Sequence, residues 1–265
     1  ENLKPKAKNP RGIGIRELFA GDPFLQTEFT ENPTGHILGN VFLALDKAAR
    51  LVQPMIPKWL EKKAIDKCMA FVKERLNGED GLGGIFPAMA NTVMAYDVLG
   101  YPRDHPDYVI ARKSIEKLVI EREDEAYCQP CLSPVWDTGL ALHAMQESGM
   151  TAGDPVLDNA ADWLVGRQIT DVKGDWAVRR PDLRPGGWAF QYWNDYYPDV
   201  DDTAVVVMAL HRADPVRYKD AIDRGVEWVI GMQSESGGWG AFDAENEAHH
   251  LNHIPFADHG ALLDP

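Results

Sequence analysis

The sequence is poor in cysteine and in positive charge. Its 265 residues include three cysteines, Cys68, Cys128 and Cys131, too few for a disulfide framework, and an odd count suits a reducing compartment. There are 27 Lys and Arg against 41 Asp and Glu, a formal net charge of -14. Because nucleic-acid binding depends on clustered positive charge, this balance predicts no nucleic-acid partner.

Long apolar runs and strand-like alternation are also lacking. No uninterrupted apolar segment is long enough to cross a bilayer, and the N-terminus shows no signal-peptide pattern. Apolar residues follow a helical period almost throughout, which predicts an all-α protein. Since the chain starts without Met and stops in a loop-like Leu263-Asp264-Pro265, we expect an internal piece of a longer protein.

Zinc-ligand patterns are incomplete. Cys128-Gln-Pro-Cys131 has the spacing of half a zinc site, but no second pair completes it. His249 and His253 have i,i+4 spacing, yet Pro255 follows and no helical pattern supports it. We therefore predict no metal site.

Two kinds of helical segment alternate along the chain. Residues 203–212 are apolar on every face until the last turn, which predicts an inner helix surrounded by others. Residues 220–232 instead carry one apolar stripe opposite charged residues, which predicts an outer helix. The stripe consists of Ile222, Val226, Val229 and Ile230.

The same pair of segments recurs, as in repeat architectures. Asp137-Thr138 begins a copy of the segment that starts at Asp202-Thr203, and a weaker third copy starts at Asn91. The clearer repeats close on Gln…Gly-x-Trp turns, Gln168…Trp176 and Gln233…Trp239, in which Gln can tie a helix end and Trp can cover it. Alternating inner and outer helices predict a double-layered α/α barrel.

Three carboxyl groups precede the most apolar helix. Asp199, Asp201 and Asp202 lie where an extended segment turns into that helix, and one of them could serve as its N-cap. Three carboxylates within four residues repel one another unless one keeps its proton, which would make it a general acid. A calcium loop is disfavoured because Ala204 and Leu210 stand where it needs Gly and Glu.

Aromatic residues are frequent around this cluster. An acid among aromatic faces suits carbocations, which such faces stabilise, although each ring could equally be core packing. The residues are Trp136, Trp188, Phe190, Trp193, Tyr196, Tyr197, Phe242 and Phe256.

The pattern of residues 39–60 predicts an amphipathic helix. This segment cannot span a membrane, because Asp46, Lys47, Arg50 and two prolines interrupt its apolar residues. Its apolar face could pack on a core or lie at a membrane interface.

Several motifs together resemble the squalene-hopene cyclases, class II terpene cyclases, and the match is densest over residues 133–265. The segments are Ser133–Leu140, Gly166–Thr170, Gly174–Val178, Pro185–Gly187, Phe190–Gln191, Tyr196–Val207, Gly231–Gln233, Gly237–Gly240 and Asn252–Phe256. The resemblance implies parts of two α/α barrels, with residues 1–131 in an N-terminal barrel that carries a membrane-docking helix. Residues 132–265 would then begin the catalytic barrel.

The resemblance also implies an activity. Such enzymes are monotopic, usually homodimeric, need no cofactor, and protonate a terminal double bond of squalene to give hopene or hopanol. That implies an isomerase at the cytoplasmic face of the cell membrane, with residues 39–60 as the docking segment. The family's histidine that hydrogen-bonds the donor would lie beyond Pro265.

Site roles follow by motif position. Asp201 would donate the proton, while Asp199 and Asp202 hold it in its acidic form. Trp136, Phe190, Ile85, Phe242, Phe256 and Ala257 would contact the substrate, with Phe242 standing where relatives often carry Tyr. Two alternatives remain open: a class II diterpenoid diphosphate cyclase, and an inactive lipid-binding α/α module.

Overall fold

The computed structural model describes residues 14, 16–22, 25 and 31–255, and these are mostly helical, as predicted. Contacts divide them into two units: residues up to Lys67 with those from Glu247 onward, and Cys68–Asn246. The α-helices are α1 (Ile37–Val52), α2 (Lys58–Glu74), α3 (Phe86–Val98), α4 (Pro106–Glu116), α5 (Pro134–Glu147), α6 (Pro155–Val165), α7 (Val200–Ala213) and α8 (Lys219–Gly231).

The named strands in the described residues form two short antiparallel pairs. Strands β1 (Leu76–Asn77) and β2 (Gly81–Leu82) form one pair, and β3 (Val119–Glu121) and β4 (Ala126–Cys128) form the other. Both pairs are connectors between helices.

The first unit contains α1 and the start of α2. Helix α1 begins at His36, whose Nδ1 accepts the Leu38 N–H at 3.2 Å, and whose ring stacks on His253 with centroids 3.9 Å apart. The single helix predicted over residues 39–60 is divided in two. Pro54 lies in a 3-10 turn after α1 and Pro57 precedes α2, because proline cannot continue a helical hydrogen-bond ladder.

In the second unit, inner and outer helices alternate as predicted. Helices α3, α5 and α7 are the three repeated inner segments, and each packs against the helix that follows it, while α5 also packs against α7. The buried core between α5, α6 and α7 is aliphatic and fully excluded from solvent at Leu142, Leu157, Leu164, Val206 and Leu210. Burial of these side chains, at roughly 1.5–3 kcal/mol each, holds the repeats together.

The buried face of α8 differs from the predicted stripe. Ile222 is buried, but Ile230 is 64% exposed and Val226 is 38% exposed. The face is rotated because Gly225 lets the helix approach closely: a Cβ there would lie 2.9 Å from a ring carbon of Trp188. Trp228 is fully buried on the same face.

The Gln and Trp turns have the structural roles predicted for them. Gln168 Nε2 donates to the carbonyl oxygens of Gly186 (2.8 Å) and Ala221 (2.9 Å), which ties the end of α6 to the first turn of α8. Trp239 Nε1 donates to the Val229 carbonyl oxygen at 2.8 Å and so covers the end of α8.

A nearly buried ion pair connects the end of α2 to the turn after Gly174. The Arg75 guanidinium donates to both carboxylate oxygens of Asp175, through Nε at 3.1 Å and through Nη2. It also lies 4.7 Å from the Tyr196 ring centre. Burial opposes ionisation of Asp175, but hydrogen bonds from Arg75 and Tyr197 outweigh it and lower the pKa of that carboxyl.

Candidate active site

The acidic cluster lies at the N-terminus of α7. Asp199 has extended backbone angles, and its Oδ1 accepts the Asp201 backbone N–H at 2.8 Å, so it is the N-cap that the sequence allowed. The helix then begins at Val200. The other two carboxyls are therefore not needed for capping.

A buried backbone frame holds the cap in place. The Asp199 N–H donates to the Trp188 carbonyl oxygen at 2.8 Å. Thr203 Oγ1 accepts the Trp188 N–H at 2.9 Å and donates to the Asp199 carbonyl oxygen at 2.6 Å. Gly187 leaves room for this arrangement, because a Cβ there would lie 2.9 Å from Pro198.

The three carboxyls differ sharply in exposure. Asp202 is 1% exposed, Asp199 is 9% exposed, and Asp201 is exposed on the first turn of α7. One oxygen of Asp202, Oδ1, is buried without a hydrogen-bond partner. Asp201 is thus the member of the cluster that a ligand can reach.

Burial changes the acidity of the two enclosed carboxyls. Loss of hydration raises the pKa of Asp202 to about 8, and the charges of Asp199 and Asp201 add to this rise. Loss of hydration likewise raises the pKa of Asp199 to about 6. At neutral pH Asp202 therefore retains its proton, which agrees with the expectation that crowding keeps one carboxyl neutral.

Three of the predicted substrate-contacting residues lie on a connected backbone frame. The Val135 N–H donates to the Phe190 carbonyl oxygen at 3.3 Å, so Phe190 adjoins the start of α5, next to Trp136. Ile85 is the N-cap residue of α3 and pairs with Cys131 just before α5. Ile85 is exposed, and Trp136 and Phe190 are half-buried.

A second loop reaches the start of α7. The Val200 N–H donates to the Ala241 carbonyl oxygen at 2.9 Å. This bond places the residue before the half-buried Phe242 against the backbone between Asp199 and Asp201. Phe256 and Ala257 lie outside the described residues.

Several other aromatic residues near the motif belong to the scaffold. Trp188 is fully buried and its Nε1 donates to the Leu164 carbonyl oxygen at 2.6 Å, while Tyr196 stacks on Arg75. Trp193 is 52% exposed and lies under the Arg167 guanidinium, 4.8 Å from its ring centre. For Trp188 and Tyr196, core packing is the better explanation.

Sequence reasoning missed the role of Thr203. The repeat contains a clue, because Thr138 Oγ1 donates to the Pro134 carbonyl oxygen at 2.6 Å, the same i−4 bond that Thr203 makes to Asp199. Only Thr203 also accepts a backbone N–H, that of Trp188. The Asp-Thr pair thus recurs near the start of both helices, and in α7 its threonine also ties Trp188 to Asp199.

Among the described residues, no three His, Cys, Asp or Glu side chains are placed to hold a metal ion. The segment His249–His253 is a 3-10 helix, so the i,i+4 geometry of an α-helix is not formed there.

Family models match nearly the whole chain. The squalene-hopene cyclase N-terminal domain matches residues 1–124, and the squalene-hopene cyclase C-terminal domain matches residues 132–265. The chain belongs to the squalene-hopene cyclase family.

Curated relatives agree with the family assignment. The chain is 56% identical to a squalene–hopene cyclase of Zymomonas mobilis and 54% identical to one of Bradyrhizobium diazoefficiens, each over 99% of this chain and 41% of the relative. It is 42% identical to one of Alicyclobacillus acidocaldarius, over 86% of this chain and 36% of the relative. The chain thus spans about two fifths of the length of the first two.

Proposed function

We propose that the full-length protein containing this chain cyclises squalene to hopene or hopanol by protonating a terminal C=C bond. The observation that carries this proposal is the acidic cluster, in which the neutral, buried Asp202 lies beside the exposed Asp201 at the start of an inner helix. The names of the relatives supply the substrate. Cyclisation to hopene rearranges bonds without adding or removing atoms, so the enzyme is an isomerase.

In this proposal, Asp201 delivers the proton. Asp202 retains a proton next to Asp201 in the sequence, and Asp201 is the exposed member of the cluster that can present a proton to a ligand. Asp199 and Asp202 favour the protonated form of the cluster, because burial disfavours the ionisation of both carboxyls.

Apolar surface for a polyene is available on the inner helices. Each of them exposes at least one large apolar side chain: Phe86 and Met94 on α3, Leu140 on α5 and Met208 on α7. We propose that these faces, together with four of the predicted substrate-contacting residues in the same unit, enclose the substrate: Ile85, Trp136, Phe190 and Phe242. Aromatic faces there would stabilise cations by about 0.5–2 kcal/mol each.

The activity is tested on the full-length protein with squalene. We expect pentacyclic products by mass spectrometry, and we expect Asp201→Asn to lose at least about a hundredfold in rate, the usual contribution of a general acid. Unchanged turnover in Asp201→Asn would remove the donor role from that residue. Turnover of geranylgeranyl diphosphate in place of squalene would favour the diterpenoid alternative, and a lipid recovered unchanged would favour the binding module.

We also propose that α1, the turn after it and the first turn of α2 dock on a membrane from the cytoplasmic side. No described helix is both long enough and apolar enough to cross a membrane. Large apolar side chains are nevertheless exposed along this segment: Leu45 (58%), Leu51 (79%), Met55 (78%) and Trp59 (68%). An amphipathic helix of this kind binds in the plane of the interface.

Docking is tested by flotation with phosphatidylcholine vesicles, which carry no net charge. Leu51→Glu combined with Met55→Glu should abolish co-flotation, whereas the control Lys47→Glu, which changes charge without removing apolar surface, should not. Equal flotation of all three proteins would contradict docking through this segment.

The homodimer stays a prediction. The division into two barrels between residues 131 and 132 also stays a prediction, and the separate family matches to residues 1–124 and 132–265 support it.

A further inference from the structure

Two of the proposed substrate-contacting residues are joined by a buried network of amide side chains that no catalytic role explains. Ile85 and Phe190 are separated by more than a hundred residues along the chain, yet each adjoins a member of this network. The amide network consists of the side chains of Asn77, Gln191 and Asn194 and the backbone of Gly83 and Gly84.

The first contact of the network is steric. Gly84 has φ +64°, and a Cβ at this position would lie 2.4 Å from Cδ of Gln191. The Gln191 side chain therefore occupies the space that any other residue at position 84 would need. This places the residue after Phe190 directly against the residue before Ile85.

The second contact is a chain of hydrogen bonds. Asn194 Nδ2 donates to Gln191 Oε1 at 3.0 Å and to the Gly83 carbonyl oxygen at 3.4 Å, and Asn77 Nδ2 donates to Asn194 Oδ1 at 3.0 Å. Asn194 is 3% exposed and Gln191 is 9% exposed. Buried amides that satisfy one another in this way fix a single arrangement, because every alternative leaves a polar group unpaired.

Neighbouring contacts hold both sides of the network. The Trp193 N–H donates to Asp80 Oδ2 at 2.7 Å, and the Phe86 N–H donates to the Pro130 carbonyl oxygen at 2.8 Å. The backbone on either side of Ile85 and Phe190 is thus held, while their side chains stay at least partly accessible. Rigid backbone beneath an accessible side chain is what a shaped binding surface requires.

From this geometry we propose that Gln191 and Asn194 are positioning residues that set the separation of Ile85 and Phe190 and so determine how completely an apolar polyene folds before it cyclises. The inference rests on the proposed function. Both act through other residues: Gln191 through the adjoining Phe190 and through its contact with Gly84, and Asn194 through its hydrogen bonds to Gln191 and Gly83. Loosening the network should let the substrate adopt partly folded conformers, whose cations end as products with fewer rings.

The test compares two Gln→Met variants of the full-length protein. Gln191→Met keeps the side-chain length but removes the acceptor for Asn194. The matched control is Gln146→Met: Gln146 Nε2 donates to the Ala209 carbonyl oxygen at 3.1 Å, and the residue lies about 18 Å along α5 from its N-terminus. Both variants lose one side-chain hydrogen bond, but only Gln191→Met alters the amide network.

We expect Gln191→Met to raise the ratio of incompletely cyclised to pentacyclic products about tenfold, as a 1.4 kcal/mol change between competing barriers does. Gln146→Met should keep the wild-type ratio. Hydrogen exchange should quicken at residues 84–86 and 190–194 in Gln191→Met only. Should Gln191→Met not fold, Asn77→Ala, which removes one bond at the edge of the network, carries the same prediction with a smaller shift.

The possible outcomes distinguish a failure of the positioning role from a failure of the proposed function. Quicker exchange in Gln191→Met with an unchanged product ratio would overturn the positioning role, as would an equal shift in Gln146→Met. A wild-type protein that forms no cyclised product would instead refute the proposed function, and with it the substrate on which this inference depends.

Discussion

The buried carboxyl of Asp202 should make the stability of this protein fall as pH rises. Its pKa is about 8 in the folded state, against about 3.9 for an unperturbed Asp in the unfolded chain. Between these values the folded state holds a proton that the unfolded state has lost. Stability therefore decreases with increasing pH from about 4 to about 8 and levels off above.

The size of the effect follows from the difference in pKa. About four pKa units at 1.36 kcal/mol each amount to about 5 kcal/mol for complete ionisation of Asp202 in its site. Asp202→Asn removes this cost, because an amide of the same shape does not ionise. The variant should match the wild type near pH 4 and exceed its free energy of unfolding by several kcal/mol near pH 9.

The measurement is urea unfolding at a series of pH values, followed by tryptophan fluorescence. Trp176, Trp188 and Trp228 are all fully buried in the unit that contains Asp202, so the signal reports on that unit. The matched control is Asp137→Asn, an exposed residue at the equivalent position of the preceding repeat. A difference between Asp202→Asn and wild type that stays constant from pH 4 to pH 9 would refute the reasoning.

Two further substitutions probe the support of the site. Thr203→Val leaves the buried Trp188 N–H without its acceptor and should cost about 1–3 kcal/mol in the free energy of unfolding, whereas Thr138→Val, which loses only the i−4 bond, should cost less. Equal losses in the two variants would contradict this account. Arg75→Leu removes the cation that pairs with the half-buried Asp175 carboxylate and should cost about 1–3 kcal/mol, measured by urea unfolding at pH 7. Because Arg75 lowers the pKa of Asp175, that loss should shrink as pH falls and Asp175 becomes protonated; a loss independent of pH would argue against the pair.

The helical architecture could be predicted because its determinants are local. The Asp-Thr starts at residues 137 and 202 and the apolar periods that follow them predicted the inner helices, and the Gln and Trp turns predicted how the repeats close. Capping by Asp199 was likewise predictable, since it depends only on residues within one helical turn.

The properties that depend on packing between helices could not be predicted in this way. The buried face of α8 is set by the close approach of Trp188 to Gly225, which no period within α8 encodes. Sequence adjacency also gave no indication that Asp202 is enclosed while Asp201 is exposed. Both depend on which side of a helix its neighbours cover.

The contact between Gly84 and Gln191 also bears on how the protein folds. It joins chain segments more than a hundred residues apart, as does the bond from Asn77 to Asn194. Such distant pairings form slowly, because the intervening chain must lose much of its freedom first. The amide network should therefore be among the last features to form during folding. Weakening it would then raise the unfolding rate far more than it would lower the folding rate.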